Sequence, residues 1–226
     1  LYHLAKLGWK DVVLLERDEL TSGSTWHAAA NLHGLHDNNN ISKIQYYTMN
    51  LYKELERETG QGCGVFQPGS IYLAQTEARE RYFGEKFYEL TPDQALEKNP
   101  LLNLNGVRCI MFEEDGGNVD PSGVTQAYAA GARKMGAEIY RFCPATATTP
   151  QPDGSWIVET PNGNIHTQWV VNVGGLWARE VAAMAGVKLP LQPTEHQYLV
   201  TETIPEIAAM KDRLPSVADR DGEYYM

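Results

Sequence analysis

Apolar and polar positions follow two different periods along this chain. Leu1, Leu4, Ala5 and Leu7 recur at helical spacing and stop at Gly8. Val12 to Leu15 is an unbroken apolar run closed by Glu16, the pattern of a strand buried in a parallel sheet. From 41 to 60, Ile44, Tyr47, Leu51 and Leu55 form an apolar stripe that predicts one long helix ended by Gly60. Residues 64–76 read as a strand with a turn at Pro68-Gly69. Thr91, Pro92 and Gln94 spell a capping box with proline at the first helical position. Residues 105–121 read as a strand and an acidic turn, and 121–143 as a helix and a strand. Residues 155–175 read as a hairpin turning at Asn162-Gly163, leading into a second buried run, Trp169 to Val173. A further strand is expected at 193–204, PTEHQYLVTETI.

Helices and strands thus alternate with hairpins inserted between them. That predicts an α/β nucleotide-binding domain with a β-rich second domain threaded through it. Helix, short turn, buried strand and acidic residue form the back half of a βαβ unit. In dinucleotide-binding units the acidic residue closing the second strand bonds the ribose hydroxyls, and Glu16 stands there. The chain opens inside a helix without an N-cap and closes on GEYYM, which favours a strand, so it is expected to be a piece of a longer protein.

Composition narrows the classes. The 226 residues are 42% hydrophobic with a formal net charge of -10, which disfavours nucleic acid as a partner. No apolar run approaches the length of a membrane span. Cys63, Cys109 and Cys143 lie far apart, outside any CxxC or metal spacing, and read as buried free thiols of a reducing compartment. A secretory signal pattern is lacking, so the expected location is cytoplasmic, with the mitochondrial matrix as the alternative.

ERDELTSGSTWHAA, NVDPSGVTQAYAAGARKMGAEI, WIVETPNG, VVNVGGLWAREVAAMAG and PTEHQYLVTE occur in that order. Together they resemble the flavin-dependent dimethylglycine and sarcosine dehydrogenase family, within the wider D-amino-acid oxidase-like FAD-dependent oxidoreductases. The resemblance extends over nearly the whole chain. It implies FAD and oxidative N-demethylation of a small N-methyl amino acid. Hydride would pass from the α-carbon to flavin N5, leaving an imine that hydrolyses. Electron-transfer flavoprotein or oxygen would be the acceptor. It also implies that the FAD-binding Rossmann-like domain is incomplete here, its first strand and GxGxxG turn being absent, so the chain alone is expected to be inactive. The FAD domain is expected at 1–60 and 120–185, and the β-rich substrate domain at 61–119 and 186–226. ARERYFGEKFYEL looks shorter than the family's helical stretch.

The resemblance also implies roles. Glu16 would bind the ADP ribose and Arg17 would lie against the adenosine. Ser24, Thr25 and Trp26 would run along the pyrophosphate and ribityl chain. His27 would be joined covalently to the 8α carbon of the flavin. Ala145 would pair its backbone with adenine, and Gly174, Gly175 and Trp177 would make a second flavin contact. His196 and Tyr224 would form the amine-side pair that holds the substrate nitrogen unprotonated. From the residues alone, each also reads blandly: His27 as a loop histidine, Arg17 as a surface charge, Ser24 and Thr25 as a turn, Trp177 as packing. His196 and Tyr224 likewise read as sheet residues, with Tyr225 facing the other side. One departure is Ala30, where many relatives carry glycine, so a backbone needing glycine there would be strained.

Other features read as structure. His33 and His36, beside Asp37, fit no strong metal template and are expected on a surface loop. EEDGGNVD and DRDG lack calcium-loop spacing and read as turns. Asn40-Ile41-Ser42 carries no weight as a glycosylation site without a secretory signal. Two competing functions remain: a catalytically silent regulatory relative, which His27 and His196 argue against, and an NAD-dependent Rossmann enzyme, which the HAA and HQY segments disfavour.

Overall fold

In a computed structural model, residues 1–36, 38–83 and 88–226 are described. The first elements are α1 (Tyr2–Lys6), β1 (Val13–Leu15), β2 (Asn31–Leu32), α2 (Asn39–Thr59), β3 (Ser70–Ala74), α3 (Glu77–Phe83) and β4 (Tyr88–Glu89). Next come α4 (Pro92–Lys98), β5 (Cys109–Glu113), β6 (Gly117–Asn118), α5 (Pro121–Lys134) and β7 (Glu138–Tyr140). Then follow β8 (Ala147–Pro150), β9 (Trp156–Thr160), β10 (Gly163–Thr167), α6 (Ala178–Met184), α7 (Pro205–Ala208), β11 (Ser216–Asp219) and β12 (Tyr224–Tyr225). The fold is mixed α/β and divides into two compact units: Leu1–Ala28 with Thr125–Leu199, and Ala29–Val124 with Val200–Met226. Asp37 and part of the ARERYFGEKFYEL stretch, 84–87, lie outside the described residues.

In the first unit β1 runs parallel to β7, pairing Leu14 with Ile139. Tyr2 of α1 packs edge-on against Tyr128 of α5, and Ala127, Ala129 and Ala132 are buried along α5. The small residues let that helix approach its neighbours closely. The apolar run 12–15 is less buried than its pattern predicts, because its sheet has two strands; Val13 is 39% exposed. β8, β9 and β10 form an antiparallel sheet. Thr160 pairs with Gly163, so the hairpin turns at Pro161-Asn162, one residue before the expected dipeptide. Trp169 to Val173 is a correction. It forms no strand, and Trp169 and Val173 are 75% and 79% exposed. An apolar run is a strand only when a neighbour takes its backbone hydrogen bonds, and no described segment does so. The same holds for 193–204, which is irregular and exposed.

In the second unit a five-stranded sheet runs β12-β11-β3-β5-β4, antiparallel except between β11 and β3. Helices accompany it, so this unit is mixed rather than dominated by strands. Only 70–74 of the expected strand at 64–76 is regular; Phe66 makes an isolated bridge to Asn118. β3 is buried on both faces. Ile71 and Leu73 pack with Leu90, Ala95, Ile110, Phe112 and Val217, while Tyr72 and Ala74 pack with Phe83, Cys109 and Met111. The capping box at Thr91 and Gln94 forms as the sequence predicts. On the Tyr72 face, register sets Ser216, Ser70 and Glu113 in one cross-strand row. Tyr225, Ala218, Tyr72 and Met111 stand in the next.

α2 spans Asn39–Thr59, capped by the Asn38 side chain and ended by Gly60 at φ +74°. Its stripe is a second correction. Leu51 and Leu55 are buried, but Ile44 and Tyr47 are 65% and 53% exposed. The first half turns Ser42 and Gln45 inward, where they bond the Gly34 carbonyl (2.5 Å) and the His33 ring (3.1 Å). Polar backbone there needs partners more than it needs apolar cover.

Candidate functional site

The first unit gathers most of the expected cofactor residues. Glu16 follows β1; its N–H donates to Tyr140 and its carbonyl accepts from Cys143 (2.9 and 2.8 Å). Glu16 Oε1 accepts the Asp18 N–H at 2.9 Å, which fixes the carboxylate at the strand end. The Arg17 guanidinium lies 4.0 Å over the Trp177 ring, with Nε 3.1 Å from Asp18. A Cβ on Gly23 would stand 3.2 Å from that same ring, so the glycine lets the loop pass close to it. Trp177 thus stacks under a cation and stays 36% exposed instead of filling a core.

Ser24 precedes an exposed 3-10 turn, Thr25–His27, closed by Ala28 N–H to Thr25. His27 stacks on Trp26 with ring centroids 3.6 Å apart, and its Nδ1 lies 3.1 Å from the Tyr198 hydroxyl. That contact occupies one ring nitrogen and leaves Nε2 on an exposed side chain. Among the described residues the Ala145 N–H and carbonyl make no hydrogen bond. Asn172, unremarked in the sequence, holds the next loop: it donates to the Ala178 carbonyl (2.7 Å) and accepts the Gly174 N–H (3.0 Å). Gly175 adopts φ +54° with open space where a Cβ would be. His196 is exposed, without a hydrogen bond among the described residues.

The second unit holds a cavity of about 270 Å³ lined by His33, Ser70, Tyr72, Ser216, Arg220 and Tyr225, among others. Of the tyrosine pair, Tyr225 lines it, whereas Tyr224 pairs with Asp219 on the alternate register and is 48% exposed. Ser70 and Ser216 bond through their hydroxyls at 2.8 Å. Beneath them Glu113, 3% exposed, accepts the Gly34 and Leu35 N–H groups (2.5 and 3.0 Å) and the Tyr72 hydroxyl (3.0 Å). Burial, reinforced by the neighbouring Glu113 charge, holds the Tyr72 phenol above its usual pKa. Burial lowers the His33 pKa; Glu113 opposes that shift, and Arg220 and His36 add to it. His33 is therefore a half-buried neutral imidazole near pH 7, not the surface residue its polar surroundings imply.

Ala30 takes φ +53°, the left-handed conformation expected where relatives carry glycine. Cys63, Cys109 and Cys143 are buried and unpaired. No helix among the described residues is long and apolar enough to cross a membrane.

The fold of this chain is shared with a solved structure. The crystal structure of L-proline dehydrogenase from P. horikoshii matches 99% of this chain and 62% of its own, at TM-score 0.80 and 23% identity. The chain belongs to the FAD dependent oxidoreductase family, which it matches over residues 1–226. It is 46% identical to mouse mitochondrial dimethylglycine dehydrogenase and 36% identical to human mitochondrial sarcosine dehydrogenase. Both alignments take in all of this chain, which spans 27% and 26% of those relatives. The local geometry fits FAD: a carboxylate at the end of a parallel strand, backbone at Ala145 without a hydrogen bond among the described residues, and open glycine backbone at 175.

Proposed function

We propose that this chain forms part of a flavin-dependent amine oxidoreductase that demethylates a small N-methyl amino acid of the sarcosine or dimethylglycine type. The observation that carries this reading is the 46% identity to dimethylglycine dehydrogenase along the whole chain. Bound FAD would supply the hydride acceptor. The roles argued below fall to this chain's residues.

The unit containing 1–28 and 125–199 is the cofactor-binding part in this reading, and the other carries the amine cavity. Glu16 accepts from the ribose hydroxyls, Arg17 and Trp177 flank the adenosine, and Ala145 offers its backbone to adenine. Ser24, Thr25 and Trp26 follow the pyrophosphate and ribityl chain, with Gly174 and Gly175 as the second close approach. His27 is the attachment residue. Its engagement through Nδ1 leaves Nε2 as the nucleophile toward the 8α carbon. Arg220, whose guanidinium makes no ion pair among the described residues, supplies the cation that a substrate carboxylate needs at the cavity. His196 keeps the proposed role of base that accepts the ammonium proton and frees the nitrogen lone pair, while Tyr225, which lines the cavity where Tyr224 does not, takes the tyrosine's place on the amine side. The mitochondrial relatives favour the matrix over the cytoplasm as its location.

Intact-mass measurement of the acid-precipitated holoprotein tests attachment: an FAD adduct lost in His27→Asn is expected, and a flavin released entirely by acid overturns it. Anaerobic titration with sarcosine and dimethylglycine, following bleaching of flavin absorbance, tests the reaction. A flavin-loaded protein that neither amine bleaches would refute the reading and favour a regulatory relative. Reoxidation by air or only by an electron-transfer flavoprotein then identifies the acceptor.

A further inference from the structure

We propose that Glu113 is a positioning residue that sets His33 in the cavity as a hydrogen-bonding contact for the amine substrate; this rests on the amine reading above. The carboxylate sits at an inward position of a buried strand, where apolar side chains would otherwise stand, and its hydrogen bonds hold residues that line the cavity or directly follow one that does. Oε1 accepts two successive peptide N–H groups, Gly34 and Leu35, which directly follow His33. Oε2 takes the hydroxyl of Tyr72, which lines the same cavity. One buried group therefore anchors both the loop and the sheet side of the wall.

The loop is held from its other side as well. Ser42 donates to the Gly34 carbonyl, and Gln45 bonds His33 Nδ1 at 3.1 Å. With Nδ1 engaged on α2, Nε2 is the ring atom left to the cavity. The charged groups that act on the ring are Glu113 on β5, Arg220 after β11 and His36 on the same loop, while Tyr72 on β3 and Tyr46 on α2 feel the charge of Glu113. Glu113 and Arg220 act on His33 in opposite directions, and burial keeps it neutral. A neutral imidazole beside a cation suits a molecule carrying a carboxylate and an amine.

The test uses Glu113→Gln in the holoprotein, because glutamine keeps an oxygen acceptor for the two N–H groups while removing the charge. Histidine ring resonances followed by NMR should show His33 titrating lower than in the wild type, since the charge that raised it is gone. In Glu113→Asp, which draws the acceptor back from both N–H groups, the KM for dimethylglycine should rise about tenfold at unchanged flavin content, whereas Glu113→Gln, which keeps that acceptor, should stay near the wild type. His33→Asn should raise KM by a similar factor, and its double variant with Glu113→Asp should add little, because both act on one contact. His33 titration unchanged in Glu113→Gln, or KM effects that multiply, would overturn the proposal while leaving amine oxidation intact. A wild-type protein that no amine reduces defeats the functional reading instead, and the NMR arm still decides whether Glu113 governs His33. If Glu113→Gln is not recovered folded, Glu113→Asp, which keeps the charge but withdraws the carboxylate by one methylene, decides through its KM and the double variant with His33→Asn.

Discussion

Gly117→Ala should be among the most damaging single-methyl additions in the chain. Gly117 pairs with Leu32 across β2 and β6, immediately before His33. A Cβ built there would stand 2.1 Å from the Phe66 carbonyl oxygen and 2.7 Å from the Gln67 Cα. Both neighbours are backbone atoms, so no rotamer change relieves the overlap. Ordinary contact begins at 3.4 Å, so the 66–67 segment must retreat by ~1.3 Å. That retreat strains the reciprocal bonds between Phe66 and Asn118, 2.9 and 2.8 Å long. Overpacking costs about 1–3 kcal/mol, and each broken bond about 1 kcal/mol. The total is on the order of 3–5 kcal/mol.

Tryptophan fluorescence is a poor probe of this effect, because Trp9, Trp26, Trp156, Trp169 and Trp177 all belong to the other unit. Amide hydrogen exchange at Phe66 and Asn118, with urea unfolding followed by far-UV circular dichroism, reads the damaged unit directly. Gly62→Ala is the matched control: its Cβ would meet only the Glu56 carboxylate oxygen at 3.7 Å, ordinary contact. It should change stability by less than about 0.5 kcal/mol. If Gly117→Ala unfolds within about 1 kcal/mol of that control, the backbone overlap is not the constraint described. His33 should also lose its fixed titration in Gly117→Ala, because its loop starts at the displaced pair.

Ala30→Gly should stabilise the protein by about 0.5–1 kcal/mol: it relieves an alanine at φ +53°, and the greater freedom of glycine in the unfolded chain offsets part of the gain. A lower urea midpoint than the wild type would refute that. Cys63, its thiol pushed up to about 11 by burial, should be thiolate in only about one molecule in a thousand at pH 8. It should resist alkylation until the chain unfolds, and labelling at the rate of a free thiol in the native protein would contradict the burial.

The parts of the fold that were legible in the sequence are those governed by local chemistry. The Thr91 capping box, the Gly60 helix stop, the β9–β10 hairpin and the parallel placement of Val13 to Leu15 depend on a few neighbouring residues, and all appear. Trp169 to Val173 and 193–204 read as strands because their composition favours strands, yet a strand also needs a partner for its backbone, which composition does not specify. The α2 stripe misled for a related reason: Ile44 and Tyr47 match helical periodicity, but the inward face there is set by the polar backbone of Gly34 and the ring of His33.

The same logic explains why the cavity was missed while the proposed cofactor loops could be named from the sequence. STWH and VVNVGG are contiguous, so their chemistry is visible in one reading of the chain. The cavity is assembled from His33, Tyr72, Glu113 and Arg220, brought together by the register of β3 with β5 and β11. One signal was present. In CIMFE the alternation places Glu113 two residues beyond Met111, on the inward face of a strand buried throughout. A carboxylate there is costly unless donors surround it, so its presence implies a polar arrangement that the flanking sequence does not display. Three donors from two distant segments meet that requirement, and one of those segments begins at His33. An acidic residue in phase with a buried apolar alternation therefore marks the wall of a site even when its partners lie more than forty residues away.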